Sequence, residues 1–202
     1  MQFSIRSSMT VIAAALLLLV GTQVFYMTVV SPAGPETVLR PITWMVEMAA
    51  FTLIAVAALT LSARSPIAPL AWSAICVGAL FNIIQVGMGL SMFAPAAAAQ
   101  EQVPSLFDTI LKGAFFLYFA GKALFAMAAI GFGMVLVTDR GGKKLVGALA
   151  ILAGLAGTIL SIIAMPSGLA WMMPAGIAGT LATALLAVAI LCLRSRATDI
   201  EN

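Results

Sequence analysis

The sequence predicts an all-α fold: one polytopic transmembrane bundle of six helices with both termini on the cytoplasmic side. Three observations predict it. Of the 202 residues, 63% are hydrophobic and 8% charged, against about 25% charged in a soluble domain. The apolar runs are not alternating and are about twice the roughly ten-residue segments of a membrane β-barrel. The basic residues gather at the ends of alternate runs, as the positive-inside bias requires. Lipid is therefore the solvent for most of the chain, and residues 1–202 form a single membrane domain.

The first run, about 9–30, follows Arg6. It exceeds the roughly 7–15-residue apolar core of a signal peptide and has no small-residue cleavage pattern, so it reads as an uncleaved first span. A loop marked by Pro32, Gly34, Pro35 and Pro41 leads to the second span, about 42–61, which begins with Trp44 at the interface. The break SARSPIAP precedes the third span, about 70–93. The alanine-rich link APAAAAQEQVP that follows is compatible with a short helix.

The fourth span, about 105–138, is the longest. As one helix it measures about 50 Å against an apolar bilayer core of about 30 Å, so its first turns project, lie in the interface or tilt. DRGGKK closes it, the fifth span covers about 145–165, PSGLA makes a short turn, and the sixth covers about 171–193 before the charged tail RSRATDIEN. Arg6, Arg64, Arg140, Lys143, Lys144, Arg194 and Arg196 then share one side, whereas the loops of the other hold only Arg40. That distribution places both termini in the cytoplasm of a bacterium, with the chain in its inner membrane.

With orientation set, the polar residues fall in one slab. At about 1.5 Å per residue, Lys122 lies about 12 Å below the outer end of its span, Glu47 about 9 Å, and Gln85 about 12 Å with Asn82 one turn deeper. Gln23, Tyr26, Thr158 and Ser161 come out at similar depths in the first and fifth spans. An intramembrane lysine is costly and marks a functional site by default. Glu47 and Lys122, of opposite sign and matching depth, form the sharpest candidate: an ion pair, or two walls of a ligand pocket. Asp108 and Lys112 read instead as a surface i,i+4 pair.

Eight of the twelve methionines, Met27, Met45, Met48, Met88, Met92, Met165, Met172 and Met173, lie toward the outer end. Met88 and Met92 form an MxxxM, and with Met45 and Met48 they supply soft thioethers suited to Cu(I); thioethers also fill irregular packing gaps. The motif resembles that of eukaryotic high-affinity copper transporters, which have three spans per chain. Cys76 and Cys192 lack CxxC spacing and read as buried apolar residues. The chain has no histidine, which excludes histidine-ligated haem and the commonest zinc and copper sets, and no cofactor is expected. Nothing points to nucleic acid, because the bilayer explains the basic residues. Ala150/Gly154, Ala153/Gly157 and Ala175/Gly179 are small-xxx-small pairs that predict close packing of spans five and six.

The proline-rich loop after span one, FNIIQVGMG in span three and KKLVGALAILAGLAG in span five resemble uncharacterised six-span bacterial membrane protein families, domains of unknown function. The resemblance implies the architecture and no activity. The reading that follows is binding or transport of a small solute through an outward-facing polar pocket in the outer half of the membrane. The alternative is a non-catalytic subunit or assembly factor of a membrane complex, with a homo-oligomer or a complex partner besides the lipid bilayer. Cu(I) handling is a remote third. An enzyme is disfavoured: without HExxH, CxxC or a nucleotide loop, a Glu–Lys acid/base pair is the only conceivable chemistry.

Overall fold

The structure is a computed structural model. It describes residues 4–34 and 36–201, with side chains as far as Ser195. Arg196, counted above among the basic residues, therefore has its side chain outside the described residues, as does Pro35 of the first loop. The described residues are almost wholly helical: α1 (Ile5–Phe25) running into a π-helical turn (Tyr26–Val30), α2 (Leu39–Arg64), α3 (Pro69–Ala98), α4 (Leu106–Leu136), α5 (Gly142–Ser167), a 3-10 turn (Gly168–Trp171) and α6 (Met172–Glu201). Five helical stretches are long and apolar enough to cross a membrane, the last being Gly142–Ser195, 54 residues that include both α5 and α6.

The helix ends follow from local chemistry. Ser4 caps α1, its hydroxyl accepting from the Ser7 N–H. Pro69 stands at the first position of α3, where its missing N–H costs nothing. Gly141 (φ +66°) and Gly168 (φ +59°) carry the left-handed backbone that separates α5 from its neighbours. The alanine-rich link continues α3 to Ala98. At the far end of α4, Asp108 and Lys112 form an exposed i,i+4 ion pair of 2.6 Å, as their spacing predicted.

Neighbouring helices close a ring in the order α1, α2, α3, α4, α6 and back to α1, while α5 lies outside it against α4 and α6. α4 is accordingly the most buried of the long helices. Glycine lets it approach two partners. At the α3–α4 crossing a Cβ on Gly78 would stand 3.0 Å from the Gly121 carbonyl oxygen, and one on Gly121 would be 2.9 Å from that of Gly78. On its other side α4 receives Gly147 and Gly154, whose added Cβ atoms would meet the carbonyls of Gly133 and Ala126 at 2.8 and 2.6 Å. α5 and α6 do pack together, as the spacing predicted, and the glycines of α5 seat chiefly on α4. Gly157 and Ala153 face both, near Ala126 and Ala182. Van der Waals contact, not removal from water, makes such crossings favourable in lipid.

The half of the bundle holding the termini is filled by one core that joins Ile12, Leu16, Ile54, Trp72, Phe132 and Ile190 across five helices. Trp72 meets Phe132 edge-on with centroids 4.5 Å apart. The other half is not filled, and it holds the polar slab.

Candidate functional site

Two adjoining spaces occupy that half. The inner one is a chamber of about 20 Å³ lined by Gln23, Glu47, Asn82, Gln85, Tyr118, Lys122 and Thr183, with Leu19, Phe51 and Phe125 beneath. A polar cavity of that size holds one water. Above it opens a vestibule of about 700 Å³. Gln23, Glu47, Gln85 and Tyr118 line both spaces, so these four side chains are the floor between them.

Lys122 reaches the chamber from the middle of α4 and is 6% exposed. Its stem lies along Gly179 of α6, where an added Cβ would be 3.1 Å from Lys122 Cδ. A side chain at 179 would press on that stem. Among the described residues the ammonium has no hydrogen-bond partner; it stands 5.5 Å from the centroid of the Tyr118 ring, a cation–π contact. Glu47, two turns into α2, shares its electrostatic field with Lys122 and has the Thr22 side chain as a further polar neighbour. The two charges face the same water-sized space without reaching salt-bridge distance. The ion-pair form of the sequence expectation is therefore not the observed one.

The other chamber groups are held by their own helices or by one cross-link. Asn82 donates from Nδ2 to the Gly78 carbonyl (2.8 Å), and its Oδ1 is buried without a partner. Thr183 donates to the Gly179 carbonyl at 2.7 Å. The Tyr118 hydroxyl donates to Gln23 Oε1 at 3.1 Å, tying α4 to α1 across the floor.

Aromatic rings make one wall of the vestibule. Tyr26 stacks on Trp44 (6.3 Å between centroids), Trp44 meets Phe93 edge-on (5.8 Å), and Phe93 meets Phe107 (5.8 Å). Gly89 seats the indole, since a Cβ there would be 3.0 Å from Trp44 Cζ3. Tyr26 itself lies in the π-helical turn, closed by the Ser31 N–H bonding to its carbonyl at 2.8 Å. Such turns recur at functional sites. Arg40 lines the vestibule too. It donates from a terminal nitrogen to the Gly34 carbonyl at 3.2 Å, and its Nε is buried with no partner.

Of the eight pocket residues expected from sequence, Gln23, Glu47, Asn82, Gln85 and Lys122 meet in the chamber, and Tyr26 lines the vestibule. Thr158 and Ser161 line neither: they lie on α5, and α4 and α6 stand between that helix and the site. Depth alone could not show this, because it says nothing of which helix lies outside the ring. The four candidate copper ligands do not gather. Met45 faces outward at 64% exposure, Met48 packs by Gly87 and Met88 by Gly113, and Met92 is exposed. Among the described residues no cluster of His, Cys, Asp or Glu suits a metal either.

Tyr118, Thr183 and Arg40 were missed. Tyr118 was legible, being one turn before Lys122 on the same face. Thr180 and Thr183, the polar pair in an otherwise apolar sixth span, also carried the signal. No known family, curated protein or solved structure matches the chain.

Proposed function

We propose that the protein is a six-span integral protein of the bacterial inner membrane, both termini cytoplasmic, that binds and carries a small solute through the outward-facing vestibule. A 54-residue helical stretch is about 81 Å long at about 1.5 Å per residue, against a core of about 30 Å. Gly142–Ser195 therefore supplies two crossings, reversed at the 3-10 turn, and six spans result. The basic residues at one end supply the orientation.

One observation carries the transport reading. A buried lysine and a half-buried glutamate share a polar chamber that one layer of side chains separates from an open, drug-sized cavity. A lysine there needs a reason, and a bundle seeking only packing could have filled the outer half as it filled the inner. The subunit reading draws on a different observation: Asn82 and Thr183 bond their own helices, and Tyr118 links α4 to α1, which is what polar glue would do.

Thiol accessibility separates the two. In a chain with Cys76→Ala and Cys192→Ala, the near-isosteric Thr183→Cys places a thiol in the chamber and Ala187→Cys one in the filled core. A membrane-impermeant methanethiosulfonate added outside modifies Thr183→Cys at least tenfold faster. Equal inertness of the two would end the transport reading in favour of the subunit one.

A further inference from the structure

The walls of the vestibule indicate what kind of molecule it takes. In the filled half, α1 and α6 meet through Leu16, Leu19, Leu186 and Ile190, all buried in one core. In the other half the same helices line the vestibule with Val24, Met27, Met173, Ile177 and Leu181, and these side chains are also exposed: Val24 55%, Ile177 65%, Leu181 54%. Side chains that both line the cavity and stand this exposed assign its side opening to the gap between α1 and α6, on the apolar flank of the bundle. The stretch of α6 along this opening, 172 to 184, is about 18 Å long. Opposite it stand the rings of Trp44, Phe93 and Phe107. A sugar or an inorganic ion would leave both walls without a complement.

The polar groups define the other end of the ligand. Glu47 shares its chamber with Lys122, so the two charges offset one another. Arg40 has no ionic partner among the described residues, and its one hydrogen bond leaves Nε unpaired. A guanidinium in that condition suits a carboxylate or phosphate, which it can grip through two nitrogens. A volume of about 700 Å³ is that of a drug-sized ligand site and suits one chain, not the two of a phospholipid.

We infer that the vestibule takes a single-chain acidic amphiphile from the outer leaflet through the opening between α1 and α6, its acid group on Arg40 and its chain along the aromatic wall. The inference rests on the outward-facing reading of the site and names its substrate class. Trp44 is a built-in reporter. With the full-length protein in lipid nanodiscs, stearic acid brominated along its chain quenches tryptophan fluorescence saturably, and Trp44→Phe removes the saturable part. Arg40→Gln weakens binding of the acid about tenfold or more, the size expected for hydrogen bonds to a charged group, and leaves the brominated alcohol within about twofold.

Quenching that never saturates, or that survives Trp44→Phe, overturns the inference. So does equal weakening of acid and alcohol, or equal saturable quenching by a brominated two-chain phospholipid. Failure of the acid while Thr183→Cys remains reactive condemns the ligand class and spares the pocket. Binding of the acid with Thr183→Cys inert upholds the amphiphile site and condemns passage through the floor.

Discussion

Replacing Lys122 by methionine keeps the stem that Gly179 accommodates and deletes only the charge. Glu47 then stays in the chamber with the Thr22 side chain but no cation. Two groups bridged by one water are roughly 5–6 Å apart, the sum of two hydrogen bonds, and at an effective dielectric of about 20 they attract by about 3 kcal/mol. Glu47→Gln should cost a similar amount, lessened by the Tyr118 ring, whose contact with the ammonium is worth about 1–2 kcal/mol when desolvated. The double substitution leaves no uncompensated charge, and neutral replacements of buried pairs are often tolerated. For a chain of this length about 3 kcal/mol corresponds to about 6–12 °C in Tm. Thermal unfolding in detergent by tryptophan fluorescence should therefore show both singles lowered by several degrees and the double near the wild type. A double that falls by the sum of the two singles would refute the coupling, because the charges would then be acting independently.

Two further outcomes follow from the packing around the same chamber. Gly121→Ala drives its Cβ into the Asn82 amide, with Asn82 Cγ at 2.9 Å; overpacking costs about 1–3 kcal/mol against up to about 1 kcal/mol of helix propensity gained. A lower Tm is expected, only partly restored when Asn82→Ala is added because the Gly78 carbonyl still stands 2.9 Å from the new Cβ, and an undiminished Tm for Gly121→Ala would mean that the α3–α4 crossing is not closed there. Tyr118→Phe keeps the ring and removes the bond to Gln23, worth about 1 kcal/mol. Modification of Thr183→Cys should then speed up about fivefold, and an unchanged rate would exclude this bond as the latch of the floor.

Helix boundaries were legible because the bilayer imposes a length and the breakers Pro66, Pro69, Gly141 and Gly168 punctuate it. Depth was legible too: a fixed rise per residue put Glu47, Gln85 and Lys122 at one level, and they do share a chamber. What a single sequence does not encode is azimuth between helices. Thr158 and Ser161 have the right depth on a helix that lies outside the ring, and their composition is no different from that of Thr180 and Thr183, which lie inside it. The small residues of α5 show the same limit. A Gly/Ala stripe announces a close neighbour without saying which, and here the neighbour is chiefly α4.

The vestibule itself was not legible, since it is made of what is missing between residues. The chain spends its bulk unevenly. In the half with the termini, Trp72, Phe125, Phe132 and the leucines of α1 and α6 pack into one core. In the other half the comparably large rings of Trp44, Phe93 and Phe107 meet one another edge-on along a wall instead of meeting α6 across the middle. Gly176 of α6 faces Tyr118, a Cβ there coming 3.9 Å from its hydroxyl, so even this contact is loose. Such an arrangement forgoes dispersion contacts that a filled core would have, and it does so only over the chamber that holds Lys122. The lysine and the void are then one feature. A charge buried with no hydrogen bond needs water or a ligand close by, and the unfilled half lets either come within one side-chain layer of it.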